Sequence, residues 1–137
     1  MATWLGQDVP KLGFGMMRLP TQADGKIDQA RVNGMVDEFM AAGFTYFDTA
    51  YGYHDEKSEG AVKQAVVDRY PRDAFLLATK LPLWHVKTRE DMPRLFETQL
   101  ARTGASYFDF YMMHAFGRQY LDTLNEVDVW SFMKQLK

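Results

Sequence analysis

The sequence predicts an α/β fold in which parallel strands alternate with helices. Three observations predict it. Short apolar runs alternate with longer segments whose apolar residues recur at helical spacing. The runs close near positions 16, 48, 80 and 114, separations of 32, 32 and 34 residues. Three successive runs also end on an ionisable side chain: Asp48, Lys80 and His114. Alternation of this kind implies parallel strands joined by right-handed helical crossovers.

The elements follow in order. Residues 11–19, "KLGFGMMRL", read as a first strand stopped by Pro20, with a small hairpin over residues 3–11 before it. Residues 28–42 read as a helix: Asp28 caps its start, and Val32, Met35, Val36, Phe39 and Met40 line one face. Gly43 stands where a left-handed stop belongs. A second strand covers residues 44–47 and ends on Asp48. Residues 58–70 are a helix with Ser58 as its cap and Ala61, Val62, Ala65 and Val66 inward; Pro71 closes it. Residues 74–79, "AFLLAT", suit a strand buried on both faces. Thr88 and Asp91 have capping-box spacing at the start of a helix over residues 88–103, and Gly104 ends it. A fourth strand over residues 107–113 and a helix over residues 127–136 complete the order.

The repeat of roughly 33 residues, taken eight times, approaches the ~250 residues of a (β/α)₈ barrel. Residues 1–137 therefore read as one domain holding the first four βα units of such a barrel, a half-barrel. The carboxyl edge of parallel strands is where ligands bind in this architecture. Burying an unpaired charge is costly, so Asp48, Lys80 and His114 are expected to converge there. Tyr53, just beyond Asp48, is within reach of the same place. Asp109 falls on the opposite strand face from His114 and reads as structural.

The bulk numbers exclude several classes of function. The chain has 137 residues, 47% hydrophobic and 25% charged, which suits a globular domain. A net charge of -2 gives no field for nucleic acid or an anionic membrane. The absence of cysteine excludes disulfides, thiolate metal sites and a cysteine nucleophile. No run approaches the ~20 apolar residues of a membrane span, and the first residues lack the pattern of a secretory signal. A cytoplasmic location is expected. Gly13-Phe14-Gly15 hints at a dinucleotide fingerprint, but the third glycine is replaced by Arg18.

The four polar residues form a coherent proton donor. A free tyrosine titrates near ~10, and an ammonium beside it favours the phenolate. A carboxylate keeps that ammonium charged and oriented, and a histidine can hold a carbonyl oxygen by hydrogen bonding. The segments "GFTYFDTAYGY", "LLATKLP" and "YFDFYMMHAF" carry this set. In them the sequence resembles the aldo-keto reductase family. The resemblance implies a catalytic tetrad of Asp48, Tyr53, Lys80 and His114, with the tyrosine as general acid/base. Of the two nearby phenols, Tyr51 and Tyr53, only the family spacing prefers Tyr53. It further implies a nicotinamide cofactor, NADPH or alternatively NADH, and a small carbonyl substrate. Gly15, Met16 and Met17, in "LGFGMMRLP", and Asp48 would line the nicotinamide end. The style of the sequence also resembles a bacterial branch that often carries a C-terminal iron–sulfur domain.

Half a barrel has consequences of its own. Loops after strands seven and eight commonly bind phosphate, so the four units hold little of the expected cofactor grip. The final "MKQLK" is expected to be a truncation inside a longer protein. The first and fourth strands are left as open edges that invite self-association. The alternative to an enzyme is thus a non-catalytic scaffold or interaction module. Trp84 and Phe116, on loops after strands, read equally as walls of a substrate mouth or as ordinary loop packing, and His85, in the loop after the third strand, reads as solvated rather than as part of that mouth.

Overall fold

The computed structural model describes residues 8–136. Within them, four strands pair side by side in chain order, each parallel to the next. They are β1 (Gly13–Gly15), β2 (Tyr46–Asp48), β3 (Leu76–Pro82) and β4 (Phe110–His114). The crossovers carry α1 (Gln29–Ala41), α2 (Ser58–Val62) and α3 (Asp91–Thr103). A π-helical turn, Lys63–Val67, extends α2. Two short helices, α4 (Leu121–Glu126) and α5 (Val129–Gln135), follow β4.

Local chemistry accounts for most helix ends. The Asp28 carboxylate accepts the Arg31 N–H at 3.1 Å and starts α1. Gly43 and Gly104 have φ of 87° and 67°, the left-handed region that a side chain disfavours. The box at α3 is made from one side only. Asp91 accepts the N–H groups of Lys87 and Thr88, both at 2.9 Å, so the helix begins at Asp91 and not at residue 88. Asp128, itself left-handed, accepts from Ser131 and separates α5 from α4, a helix the sequence reading did not contain.

All four strands differ in their bounds from expectation, β2 beginning only at Tyr46 where its pairing with Gly13 and Leu76 begins. β1 is shorter, because β2 ends at Asp48 and leaves residues after Met16 without a ladder partner. β3 runs past Lys80 to Pro82, since β4 continues alongside it to His114. β4 starts late because Arg72 captures residues 107–109: it donates to the Tyr107 carbonyl and to Asp109. Asp109 also accepts the Leu77 N–H, which is the structural role expected of it. The hairpin expected over residues 3–11 falls largely outside the described residues, and residues 8–11 form no strand.

The helices cover one face of the sheet. Phe47, Leu77, Val32, Val36, Val62 and Val66 form one apolar cluster beneath β1 and β2. Leu81, Met92, Leu95, Leu124 and Phe132 form a second beneath β3 and β4. Between them, on β3, lies Thr79, fully buried together with Glu59 of α2 and Gln99 of α3. The seam is polar: Glu59 Oε1 accepts from Thr79 and from the Gln99 amide, and Gln99 also donates to the Lys80 carbonyl. The Tyr111 hydroxyl donates to Gln99 Oε1 at 2.7 Å.

Candidate active site

Strand pairing decides which side chains share the other face. Asp48 stands opposite Ala78 in the ladder, so Lys80, two residues further along β3, points to the same side as Asp48. Lys80 stands opposite Met112, so His114, again two residues on, points the same way. The site residues thus step up the sheet two at a time, as strands tilted against a barrel axis require. Tyr46 and Phe110 share that face lower down, with ring centroids 5.5 Å apart.

The four expected side chains come together. Lys80 Nζ donates to Asp48 Oδ1 and to the Thr49 carbonyl, each at 2.7 Å. The pair is largely shielded, with 14% of the lysine and 30% of the aspartate side chain exposed. The same ammonium lies 4.8 Å from the centroid of the Tyr53 ring, over its face. The Tyr53 and His114 rings meet edge to face at 5.6 Å. Burial, reinforced by the Lys80 charge, pushes the His114 pKa below the ordinary histidine value. Its Nδ1 is buried without a hydrogen-bond partner. Tyr51 goes elsewhere: its ring lies 4.1 Å from the Arg102 guanidinium and 5.4 Å from the His85 ring.

The rim residues expected to meet a cofactor divide. Met16 has a fully buried side chain, its N–H donates to the Asp48 carbonyl, and its carbonyl accepts from Ser58. It therefore holds the rim in place and offers no free polar group. Met17 is half-exposed, and Gly15, opposite Asp48, has no atom within 4 Å of where a Cβ would stand. The floor beside Asp48 is therefore open. Trp84 packs on the His114 ring at 5.0 Å and closes over Gly52, where a Cβ would sit 3.3 Å from the indole. Phe116 packs against Trp130 instead, away from this cluster.

Two polar residues beside the site were misread or passed over in the sequence. Ser58, expected as a helix cap, is buried and bonds the Met16 carbonyl and Thr49 Oγ1, at 2.8 and 2.9 Å. His54, on the loop after β2, accepts the Leu19 N–H through Nε2 at 2.8 Å. No group of His, Asp or Glu among the described residues has metal-binding geometry.

A model of the aldo/keto reductase family matches residues 11–137. An aldo-keto reductase of Mycobacterium sp. (strain KMS) is 32% identical over 111 residues, 80% of this chain and 36% of the relative. An NAD(P)H-dependent D-xylose reductase of Hypocrea jecorina is 31% identical over 115 residues, 80% of this chain and 32% of the relative. A crystal structure of an aldo-keto reductase from Klebsiella pneumoniae in complex with NADPH superposes with a TM-score of 0.68 at 26% identity. That match covers 88% of this chain and 42% of the solved one. The chain thus spans about a third to a half of the length of the relatives it matches.

Proposed function

Because the chain belongs to the aldo/keto reductase family, we propose that it carries the proton-transfer half of an NAD(P)H-dependent carbonyl reductase. One observation carries the reading: Asp48, Lys80, Tyr53 and His114 meet at a single rim. Similarity to a solved NADPH complex and to NAD(P)H-dependent reductases supports the cofactor class.

In this reading the Tyr53 hydroxyl gives its proton to the carbonyl oxygen of an aldehyde or ketone. Asp48 and the Thr49 carbonyl hold the Lys80 ammonium against the ring. Burial keeps the His114 imidazole neutral near neutral pH. With Nδ1 enclosed and unpaired, the ring proton belongs on Nε2, which can donate to the carbonyl oxygen and orient it. Asp48 also forms one side of the open floor beside Gly15, and Met17 borders it. These are the residues assigned to the nicotinamide end; Met16 acts behind them. When bound there, the reduced nicotinamide supplies the hydride that the carbonyl carbon takes up.

The test is reduction of an aldehyde panel with NADPH, followed by Tyr53→Phe. The variant should lose at least ~100-fold in turnover, the range of general acid catalysis, while nicotinamide fluorescence reports unchanged cofactor affinity. Retained turnover would reject the role given to Tyr53. A second reading, a non-catalytic half-barrel that pairs with another chain, draws on the exposed Leu12, Met17 and Met112. Absence of NADPH binding both by this chain and by a longer chain that adds further strands would favour it.

A further inference from the structure

The segment after Tyr53 carries strain that proton transfer does not require. His54, Asp55 and Glu56 have φ of 52°, 51° and 66°, a left-handed turn made without glycine. Each such residue costs on the order of 1 kcal/mol, so its surroundings must hold it. Three contacts do so. His54 Nε2 accepts the Leu19 N–H at 2.8 Å. The Ser58 hydroxyl donates to the Met16 carbonyl at 2.8 Å. Glu56 pairs with Arg102 at 2.6 Å. The first two contacts fall on one short piece of chain, residues 16–19, which forms the rim beyond β1 and includes the exposed Met17. They also bracket the turn that begins directly after the site phenol. The N–H groups of Lys57 and Ser58 both return to the Tyr53 carbonyl, at 3.2 and 3.1 Å, so a shift of the turn is a shift of Tyr53.

We propose that His54 and Ser58 form a two-point clamp that fixes Tyr53 relative to the rim segment 16–19. His54 is a positioning residue for Tyr53, acting through the turn. The inference rests on the reading of Tyr53 as the proton donor. Its chemistry is specific. The hydrogen bond from Leu19 requires an unprotonated Nε2. Glutamine at position 54 can accept the same N–H through Oε1; leucine fills the space and cannot accept. A side chain that merely packed would not distinguish the two.

The experiment uses the whole 137-residue chain, labelled with ¹⁵N and with ¹³C-tyrosine, as wild type, H54Q and H54L. Leu19 amide exchange should be about tenfold faster in H54L than in the other two, as expected for a lost hydrogen bond. Amides of β3 should exchange alike in all three. The Tyr53 ring signals should move in H54L and return in H54Q. Unchanged Leu19 exchange in H54L overturns the proposal, as does a freed Leu19 with unmoved Tyr53, or failure of glutamine to restore both. Ser58→Ala cuts the other point and should move the Tyr53 signals with Leu19 still protected; unmoved signals again overturn the clamp. This arm decides the matter if H54L does not fold. NADPH-dependent reduction is measured in parallel. Its failure in every variant bears on the cofactor grip, of which these four units hold little, and leaves the exchange and ring signals to judge the clamp.

Discussion

Two titratable residues, the buried Glu59 and the half-buried His114, give stability a readable pH dependence. The folded state lowers the His114 pKa below its ordinary 6.5. The unfolded chain then binds the proton more readily, so the contribution is present above 6.5 and is lost as pH falls below it. Glu59 behaves oppositely. Burial raises its carboxyl above the ordinary 4.5, against the lowering effect of its Gln99, Thr79 and Arg102 contacts. Its contribution is present below 4.5 and is lost as pH rises through the raised value. Urea unfolding between pH 4 and 8 should therefore lose its rising limb in His114→Asn and its falling limb in Glu59→Gln. Parallel pH profiles for variants and wild type would contradict both assignments. At this scale the sequence was informative where chemistry was unusual for its place, as at Asp48, Lys80 and His114. It was silent on Glu59 and Gln99, because a polar residue on a helix reads as solvent-facing unless the partner across the seam is known.

Elements were legible where a residue type enforces a conformation. Asp28, Gly43 and Gly104 mark helix ends that the structure places within a residue or two. Strand ends were less legible, because a strand stops where its neighbour stops: β3 continues past Lys80 only because β4 accompanies it. The left-handed turn at residues 54–56 carried only a weak marker: histidine and aspartate take positive φ more often than most non-glycine residues, yet still uncommonly, and three in succession are not signalled by sequence. That turn gives a direct prediction. Asp55→Gly removes the Cβ penalty at an exposed position of the turn and should stabilise the fold by about 1 kcal/mol. The gain would appear as a higher denaturation midpoint at unchanged slope. A loss of stability would mean that the side chain, and not the backbone, sets the energetics there.

For the molecule as a whole, the half-barrel fold was legible from spacing alone, and solved relatives match it in shape. Its consequence for assembly is a prediction. The interior face carries Gly13, Gly15 and Met112 exposed, and β1 and β4 each have one neighbour among the described residues. Apolar surface and unpaired strand edges favour association. Sedimentation of the chain should show a mass that rises with concentration, and Met112→Lys should weaken that rise. A stable monomer across the concentration range would contradict this. No helix among the described residues is long and apolar enough to cross a membrane.

The alternation of side chains along β3 sets a rule for how this strand can vary. Leu77 and Thr79 face the helices while Ala78 and Lys80 face the opposite side. Deleting a single residue between them would rotate the ammonium into the greasy interior and turn an alkyl group toward Asp48. Gains or losses of length in this strand are therefore tolerable only as even numbers.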